Sequence, residues 1–460
     1  MEKYRTAKDT LGEVRVPIEA YYGAQTQRAV ENFPISGQKL PPVFIKAQAM
    51  IKYSAASANT SCGMLNEKKG TAIMDAAKEV MEGKWDHQFV VDAYQAGAGT
   101  SQNMNANEVI ASIASEKLGG EKGDYHIVHP NDDVNMAQST NDTIPTAIAI
   151  STVLSLREDF FPALEGTLHV LKQKEDEFHN VIKAGRTHLQ DAVPIRLGSE
   201  FAGYRGSLEQ MYNSIKAAEK ELYALGLGGN AVGTGINAHP DYAEKAINEI
   251  SRLTNLPFNK TEQPYTFMQN TNGAMRISSL LKESAVHLMK ISSDLRLLSS
   301  GPQTGLAELV LPAVQPGSSI MPGKVNPVIL ENLYMICCQV IGNDTCITHA
   351  ASGSQLEINA MMPVIGLNVL HSIKILSSGL RVFTEKCLKG LEVNRKMTDY
   401  WLERSISLVT ALNPHIGYER AAAVAKESIE TGQTLKETVV AKGWLTQEMA
   451  DKALDPNEMV

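Results

Sequence analysis

Several things are scarce in this chain, and each scarcity excludes something. Only five of its 460 residues are cysteine, Cys62, Cys337, Cys338, Cys346 and Cys387, and no C-x2-C pair occurs. Neither a disulfide framework nor a structural zinc centre is indicated, and reduced, partly buried thiols are expected. No stretch approaches eighteen uninterrupted apolar residues, and no apolar run follows the opening Met1-Glu2-Lys3-Tyr4-Arg5. Both features predict a soluble, cytoplasmic protein with no membrane partner. Basic residues are in deficit, 43 Lys and Arg against 51 Asp and Glu for a net charge of -8. Without a basic stripe to follow a phosphate backbone, nucleic acid is excluded as a partner. No G-x-x-x-x-G-K-[ST] loop, internal repeat or low-complexity linker is present. Gly226-Leu227-Gly228-Gly229-Asn230-Ala231 fits G-x-G-x-x-A, but it follows a helical pattern instead of a strand, which argues against nucleotide binding.

Aromatic residues make up 6% of the chain, while eighteen methionines and long Ala, Leu, Glu, Lys and Ser-rich stretches point to helices. Leu208, Met211, Ile215, Ala218, Leu222 and Leu225 step by three and four, and Gly226 ends the pattern. A second such stripe runs from Ile277 through Leu298 to the stop at Gly301-Pro302. Similar segments occupy 142–181, interrupted at Pro162, then 329–342 and 363–390. With no alternating strands between them, these helices predict a mainly α fold built on an elongated antiparallel bundle over 141–392. Residues 1–140 read as a mixed, mostly helical N-terminal domain with helices at 41–60 and 66–82. Residues 393–460, broken at Asn413-Pro414-His415 and Gly432, read as a small C-terminal helical domain.

Chemistry concentrates in the loops between these helices. Gly317-Ser318-Ser319-Ile320-Met321-Pro322-Gly323-Lys324-Val325-Asn326-Pro327 cannot be a regular helix, and it carries two hydroxyls, an ammonium and an amide. Gly97 to Asn105, Gln138 to Asp142 and Gly185 to Asp191 share its hydroxyls, amides and glycine with little charge. Neutral donors backed by Lys324 suit a small carboxylate, although turns and helix caps use the same residue types. His188 lies among such donors, where a titratable group can move a proton, and Glu331 at the start of the next helix is placed to orient or charge it. His129-Pro130-Asn131-Asp132-Asp133 falls short of a metal ligand set, and no metal is expected.

Residues Gly317 to Pro327 resemble the signature loop of the fumarase/aspartase superfamily, and Gly185 to Ala192, Thr100 to Val109 and Asn131 to Asp142 resemble further blocks of it. The similarity extends from Tyr21-Tyr22-Gly23-Ala24-Gln25-Thr26 to Asn413-Pro414-His415-Ile416-Gly417-Tyr418. This resemblance implies a three-domain protomer whose central bundle joins three others in a homotetramer, with each active site drawn from three chains. An elongated bundle would by itself hold the polar blocks far apart within one chain, and antiparallel packing of protomers brings opposite ends together.

The implied reaction is a reversible anti elimination across a small dicarboxylate substrate that yields fumarate, with no cofactor. Ser318 would be the base, its alkoxide held by backbone N–H groups around Ser319 to Gly323, because a free hydroxyl is a poor base. Ser319, Lys324 and Asn326 would hold the carboxylate that gains charge, and Thr187 and His188 would reach the substrate from another chain. Thr100, Ser101, Ser139, Thr140 and Asn141 would take the other carboxylate and the leaving group. His188 paired to Glu331 is a candidate proton donor or electrostatic partner. His129, Asn131 and Asp132 resemble an accessory anion site of fumarases.

Tyr94-Gln95-Ala96-Gly97-Ala98-Gly99-Thr100, Ser139-Thr140-Asn141-Asp142, Gln269-Asn270-Thr271 and Gln355-Leu356-Glu357-Ile358-Asn359 resemble aspartases, so an ammonia-lyase is favoured. A class II fumarate hydratase is the alternative, because His129 to Asn135 and the closing Asn457 to Val460 resemble fumarases. Gln303 stands where both subfamilies usually carry arginine. A non-catalytic helical assembly is a further alternative, opposed by the intact set Ser318, Lys324, Asn326, Thr187 and His188.

Overall fold

A computed structural model describes residues 4–460. The fold is mainly helical, with four two-stranded sheets among the described residues. Residues divide into two compact units, the first comprising Met1–Pro162, Tyr212–Ala285 and Cys338–Ser377, the second Ala163–Met211, Val286–Cys337 and Ser378–Val460.

Within the first unit, the helices Pro42–Ser61, Glu67–Met81 and Thr100–Lys117 surround a core that includes Ile45, Ala49, Ile73, Val109 and Ile110. Pro42 enters at the first helical position, where no N–H is required, and Asn66 caps the second helix through its side chain. The Tyr21 to Thr26 block has a structural use here. Glu108, 2% exposed, accepts from the N–H groups of Gly23, Gln25 and Thr26 at 2.8, 3.0 and 3.0 Å and from Thr26 Oγ1 at 2.6 Å. Those N–H groups open the helix Ala24–Asn32 and would otherwise be orphaned.

In the second unit, an antiparallel hairpin pairs Ile182–Thr187 with Gln190–Arg196. Leu412, Val424, Leu435, Val439 and Ala450 form a separate apolar cluster near the C-terminus.

The helices at 41–60 and 66–82 lie where periodicity places them, and the stripe from Ile277 to Leu298 is the helix Asn272–Leu298. Four expectations are corrected. First, the helix expected to run to Gly226 ends at Glu219 and continues as a 3-10 turn, Lys220–Tyr223, and a short strand, Ala224–Leu225. Leu222 and Leu225 stay buried, so the apolar rhythm outlasts the α-helix. Second, Pro162 does not interrupt the chain's helical course. A π-turn at Leu156–Phe160 runs directly into the helix Phe161–Glu177, and this wider turn just before Pro162 accommodates a residue with no N–H to donate. Third, the segment at 329–342 continues through Gly342 as the helix Val328–Ser352. Fourth, strands do separate the helices, the Ile182–Arg196 hairpin most of all.

Met362–Leu388 is long and apolar enough to cross a membrane by length and composition alone, yet 61% of its most apolar window is buried in protein. That is the pattern of a core helix.

The glycine-rich segment at 226–235 follows a strand after all, the parallel pair of Ala224–Leu225 with Asn259–Lys260. Its N–H groups are nevertheless taken. Gly228 and Asn230 donate to Asp142 Oδ2 at 3.0 and 2.9 Å, so the protein's own carboxylate sits where a phosphate would. Gly228 has a φ of +90°, and a Cβ there would lie 2.5 Å from that of Ala243, which explains the glycine.

Candidate active site

The candidate residues fall into two sets, one in each unit. In the first unit the helix Thr100–Lys117 begins right after Gly97-Ala98-Gly99, where Ala98 and Gly99 take φ of 59 and 86°. This turn leaves Thr100 exposed, whereas Ser101 is 7% exposed and turned into the protein. The helix Thr140–Ser155 begins beside it. Ser139 Oγ accepts from Asn141 N–H at 3.2 Å, and Ser139 N–H donates to Asp142 Oδ1 at 2.9 Å. Asn103 Nδ2 donates to Thr140 Oγ1 at 3.3 Å, and Thr143 Oγ1 donates to Asn103 Oδ1 at 3.3 Å, which fastens the two first turns together. Two adjacent helix N-termini carrying Thr100 and Thr140 favour an anion. Asn141 is tied elsewhere, its Nδ2 donating to Ala231 O at 2.8 Å, which leaves its Oδ1 for a ligand.

Two buried charges lie beneath these turns. Burial pushes the Asp142 carboxyl up to about 7, with the N–H groups of Ser139, Asn230 and Gly228 and the Lys52 ammonium opposing it. Burial pulls Lys52 down to about 7, opposed by the charge of Asp142. Lys52 Nζ donates to Asn103 Oδ1, Asn135 Oδ1 and Gln138 Oε1 at 2.8, 2.9 and 2.9 Å.

His129 is less available to an anion than its motif suggests. Its Nδ1 accepts from the N–H groups of Asn131 and Asp132 at 3.3 and 3.1 Å, capping the turn Pro130–Val134. That leaves Nε2, and the Asp132 carboxylate stands 3.3 Å from Nδ1, where it repels anions.

In the second unit Thr187 ends a strand, and His188-Leu189 forms the two-residue turn, both with positive φ, 55 and 58°. Such a turn normally takes Asn or Gly, so two ordinary residues here store strain at the point where His188 is displayed. Below the turn, Lys183 lies 3.2 Å from Glu308 Oε2 and 3.0 Å from Glu200 Oε1, and Arg186 lies 2.9 Å from Glu308 Oε1. Glu308 is fully buried and Lys183 nearly so. Opposite Ala184 and Gly185 the pairing skips Val193, a bulge whose carbonyl would be 2.4 Å from any Cβ on Gly185.

The 317–327 loop is irregular, as expected, and is closed by its own atoms. Gly317 N–H donates to Lys324 O at 2.8 Å, and Asn326 Nδ2 donates to Gly317 O at 2.6 Å. Ser318 Oγ accepts from the N–H groups of Ile320 and Met321 at 3.2 and 3.0 Å. Ser319 and Lys324 are exposed, and Ser318 and Asn326 are half-buried. Glu331 is half-buried in the first turn of Val328–Ser352. Among the described residues no hydrogen bond or ion pair joins it to His188, so that pairing is not made within one chain.

The family model for Lyase matches residues 12–342, and that for the fumarase C C-terminus matches 408–460. The chain belongs to the fumarase/aspartase superfamily. It is a lyase. An aspartate ammonia-lyase of Bacillus subtilis (strain 168) is 49% identical over 100% of this chain and 96% of its own. A class II fumarate hydratase of Thermosynechococcus vestitus is 48% identical over 97% of this chain and 96% of its own. Among solved structures, a class II fumarase from Schistosoma mansoni superposes with a TM-score of 0.95 at 39% identity over 99% of both chains.

Within this superfamily member, sequence reasoning missed Lys52 and the ion cluster at Glu308. A lysine amid the alanines of 47–58 was the signal for the first. The turn strain is open to a direct test. Leu189 is 71% exposed, so Leu189→Gly loses little packing and should raise the unfolding free energy of the lyase by about 0.5–1 kcal/mol. Urea unfolding would read this, and a loss of stability would show that the left-handed turn is unstrained.

Proposed function

We propose that this lyase catalyses the reversible anti elimination of ammonia from L-aspartate to give fumarate, as a cytoplasmic homotetramer of three-domain protomers divided at 1–140, 141–392 and 393–460. The observation that carries the elimination is the Ser318 hydroxyl, whose oxygen accepts two backbone N–H groups in a loop that also bears Lys324. A hydroxyl oxygen solvated by donors is one step from a stabilised alkoxide.

Ser318 as the alkoxide takes the C3 proton, and the electron pair of that C–H bond passes into the adjacent carboxylate as an aci-carboxylate. Lys324, Asn326 and Ser319 hold the added charge. The pair then returns to form the C=C bond as the C–N bond breaks and ammonia leaves. Thr100, Thr140 and Asn141 hold the second carboxylate and the leaving group, with Ser139 and the more buried Ser101 behind them. Thr187 and His188 come from a neighbouring subunit, and a Glu331 of another subunit is the candidate partner of His188. The apolar Val286, Leu297 and Met335, exposed on long helices, support burial in an assembly.

Ammonia is favoured over water because the blocks Tyr94 to Thr100, Ser139 to Asp142, Gln269 to Thr271 and Gln355 to Asn359 resemble those of aspartases, and the 49% identical relative is an aspartate ammonia-lyase. The hydratase reading is kept alive by the 48% identical relative and by the His129 to Asn135 block, an accessory anion site under that reading. Incubation with fumarate plus ammonium should yield aspartate, and fumarate alone should yield no malate. Malate without aspartate would overturn the choice.

A further inference from the structure

Lys52 has no part in the reaction as drawn, yet it is fully buried and fully coordinated. It is 0% exposed, and three amide oxygens surround its Nζ at 2.8–2.9 Å. As an ammonium, Lys52 has three N–H donors and no acceptor, and it holds the oxygens of Asn103, Asn135 and Gln138 toward it. The direction of every hydrogen bond further out is then set. Gln138 Nε2 donates to Val134 O and Met136 O at 3.0 and 3.2 Å, and Asn135 Nδ2 donates to Gln138 O at 3.1 Å. Asn103 Nδ2 donates to Asn135 Oδ1 at 3.2 Å and, with its second hydrogen, to Thr140 Oγ1 at 3.3 Å.

Thr140 therefore accepts from the protein. Its single O–H has no acceptor among the described residues and is free to donate to a ligand. If Asn103 faced the other way, its oxygen would capture that O–H and turn it inward.

We propose that Lys52 is a positioning residue that fixes the polarity of the Asn103–Thr140 hydrogen bond, so that Thr140 presents a donor to a substrate carboxylate. This rests on the reading of Thr140 as part of the substrate site. It also assigns Thr140 a partner, since a donor hydroxyl suits a carboxylate oxygen and opposes an ammonium group. A purely structural lysine would hold the two helix ends together without caring which way the amide pointed.

The test is succinate binding by calorimetry to the assembled protein, with thermal unfolding run alongside. Asn103→Asp keeps an oxygen on Lys52 but replaces the outward NH2 by a second oxygen, which draws the Thr140 hydroxyl inward. It should weaken succinate binding tenfold or more. Thr140→Val should do the same in the wild-type background and add less than twofold to Asn103→Asp, while Thr140→Ser restores binding. Should Asn103→Asp fail to fold, Lys52→Met, which removes the donor facing Asn103 Oδ1, should weaken succinate binding as Thr140→Val does, and wild-type affinity in Lys52→Met would overturn the inference.

Wild-type affinity in Asn103→Asp or in Thr140→Val, or equal losses from Thr140→Val in both backgrounds, would overturn the inference. A wild-type protein that binds neither succinate nor fumarate would overturn the functional reading beneath it, and the inference with it.

Discussion

Replacing Ser318 with alanine is expected to lower kcat by about 10^3-fold while leaving KM within a few-fold, in the range that removal of a positioned general base usually gives. The expectation follows from what holds the oxygen. Ile320 and Met321 N–H groups point at Ser318 Oγ from 3.2 and 3.0 Å, and Gly317 N–H ties the two ends of the loop through Lys324 O. A Cβ on Gly317 would lie 2.5 Å from that same oxygen, so the turn depends on glycine, and the Gly317–Lys324 and Asn326–Gly317 bonds that close the loop remain when the serine hydroxyl is removed. The alanine variant should accordingly keep its melting temperature and assembly. Fumarate absorbance during elimination would measure the loss, and unchanged turnover would remove Ser318 from the base role.

The largest stability effect is expected at Glu308. Its carboxylate has no exposure and lies within 3.2 Å of Lys183 and 2.9 Å of Arg186. Taking two cations out of water is costly, and one carboxylate offsets most of that cost for both. Glu308→Ala leaves Lys183 with Glu200, partly exposed, and with the Ala184 carbonyl, each at 3.0 Å, and takes away the one carboxylate that pairs with Arg186 among the described residues. A destabilisation of about 3–5 kcal/mol is expected, the usual consequence of breaking a buried pair from one side. Glu308→Gln, which keeps the volume and one acceptor, should lose less. Urea midpoints would rank the three proteins. An alanine variant as stable as wild type would show that water already reaches Lys183 and Arg186.

Helix positions were legible because their physics is local. The stripe from Ile277 to Leu298 has apolar residues at three and four spacing and a hard stop at Gly301-Pro302, and nothing non-local competes with it. The helix that ends at Glu219 shows the limit. Leu222 and Leu225 extend the rhythm, but Glu219 is 1% exposed and is held by Arg157 and by Tyr223 Oη at 3.0 Å, so a tertiary contact shapes the chain just past the helix end. The Ile182–Arg196 hairpin was missed because its turn carries His188-Leu189 in place of the Asn-Gly that announces such turns.

The site was legible as composition. Ser318, Lys324, Thr140 and His188 stood out because hydroxyls, amides and glycine clustered without charge. What hides from such a reading is the support beneath. Lys52 sits in an ordinary helical segment and Glu308 in an unremarkable stretch, and each matters only through partners dozens to more than a hundred residues away. His129 and Asn141 show the converse, since their motifs are conspicuous but part of their hydrogen-bonding capacity is spent inside the fold.

The skipped residue at Val193 bears on how the hairpin is wired. Along a flat ribbon, positions 183 and 186 would project from opposite sides, because side chains alternate and three is odd. Here both reach the same carboxylate. The extra local twist of an irregular rung lets that happen, and it makes a single acidic group the anchor for both ends of the segment leading to Thr187. Val193 lies on the opposite strand, so excising it would leave the alternation of 183 and 186 as it is but remove the added twist, and with it the reach of one cation to the anchor.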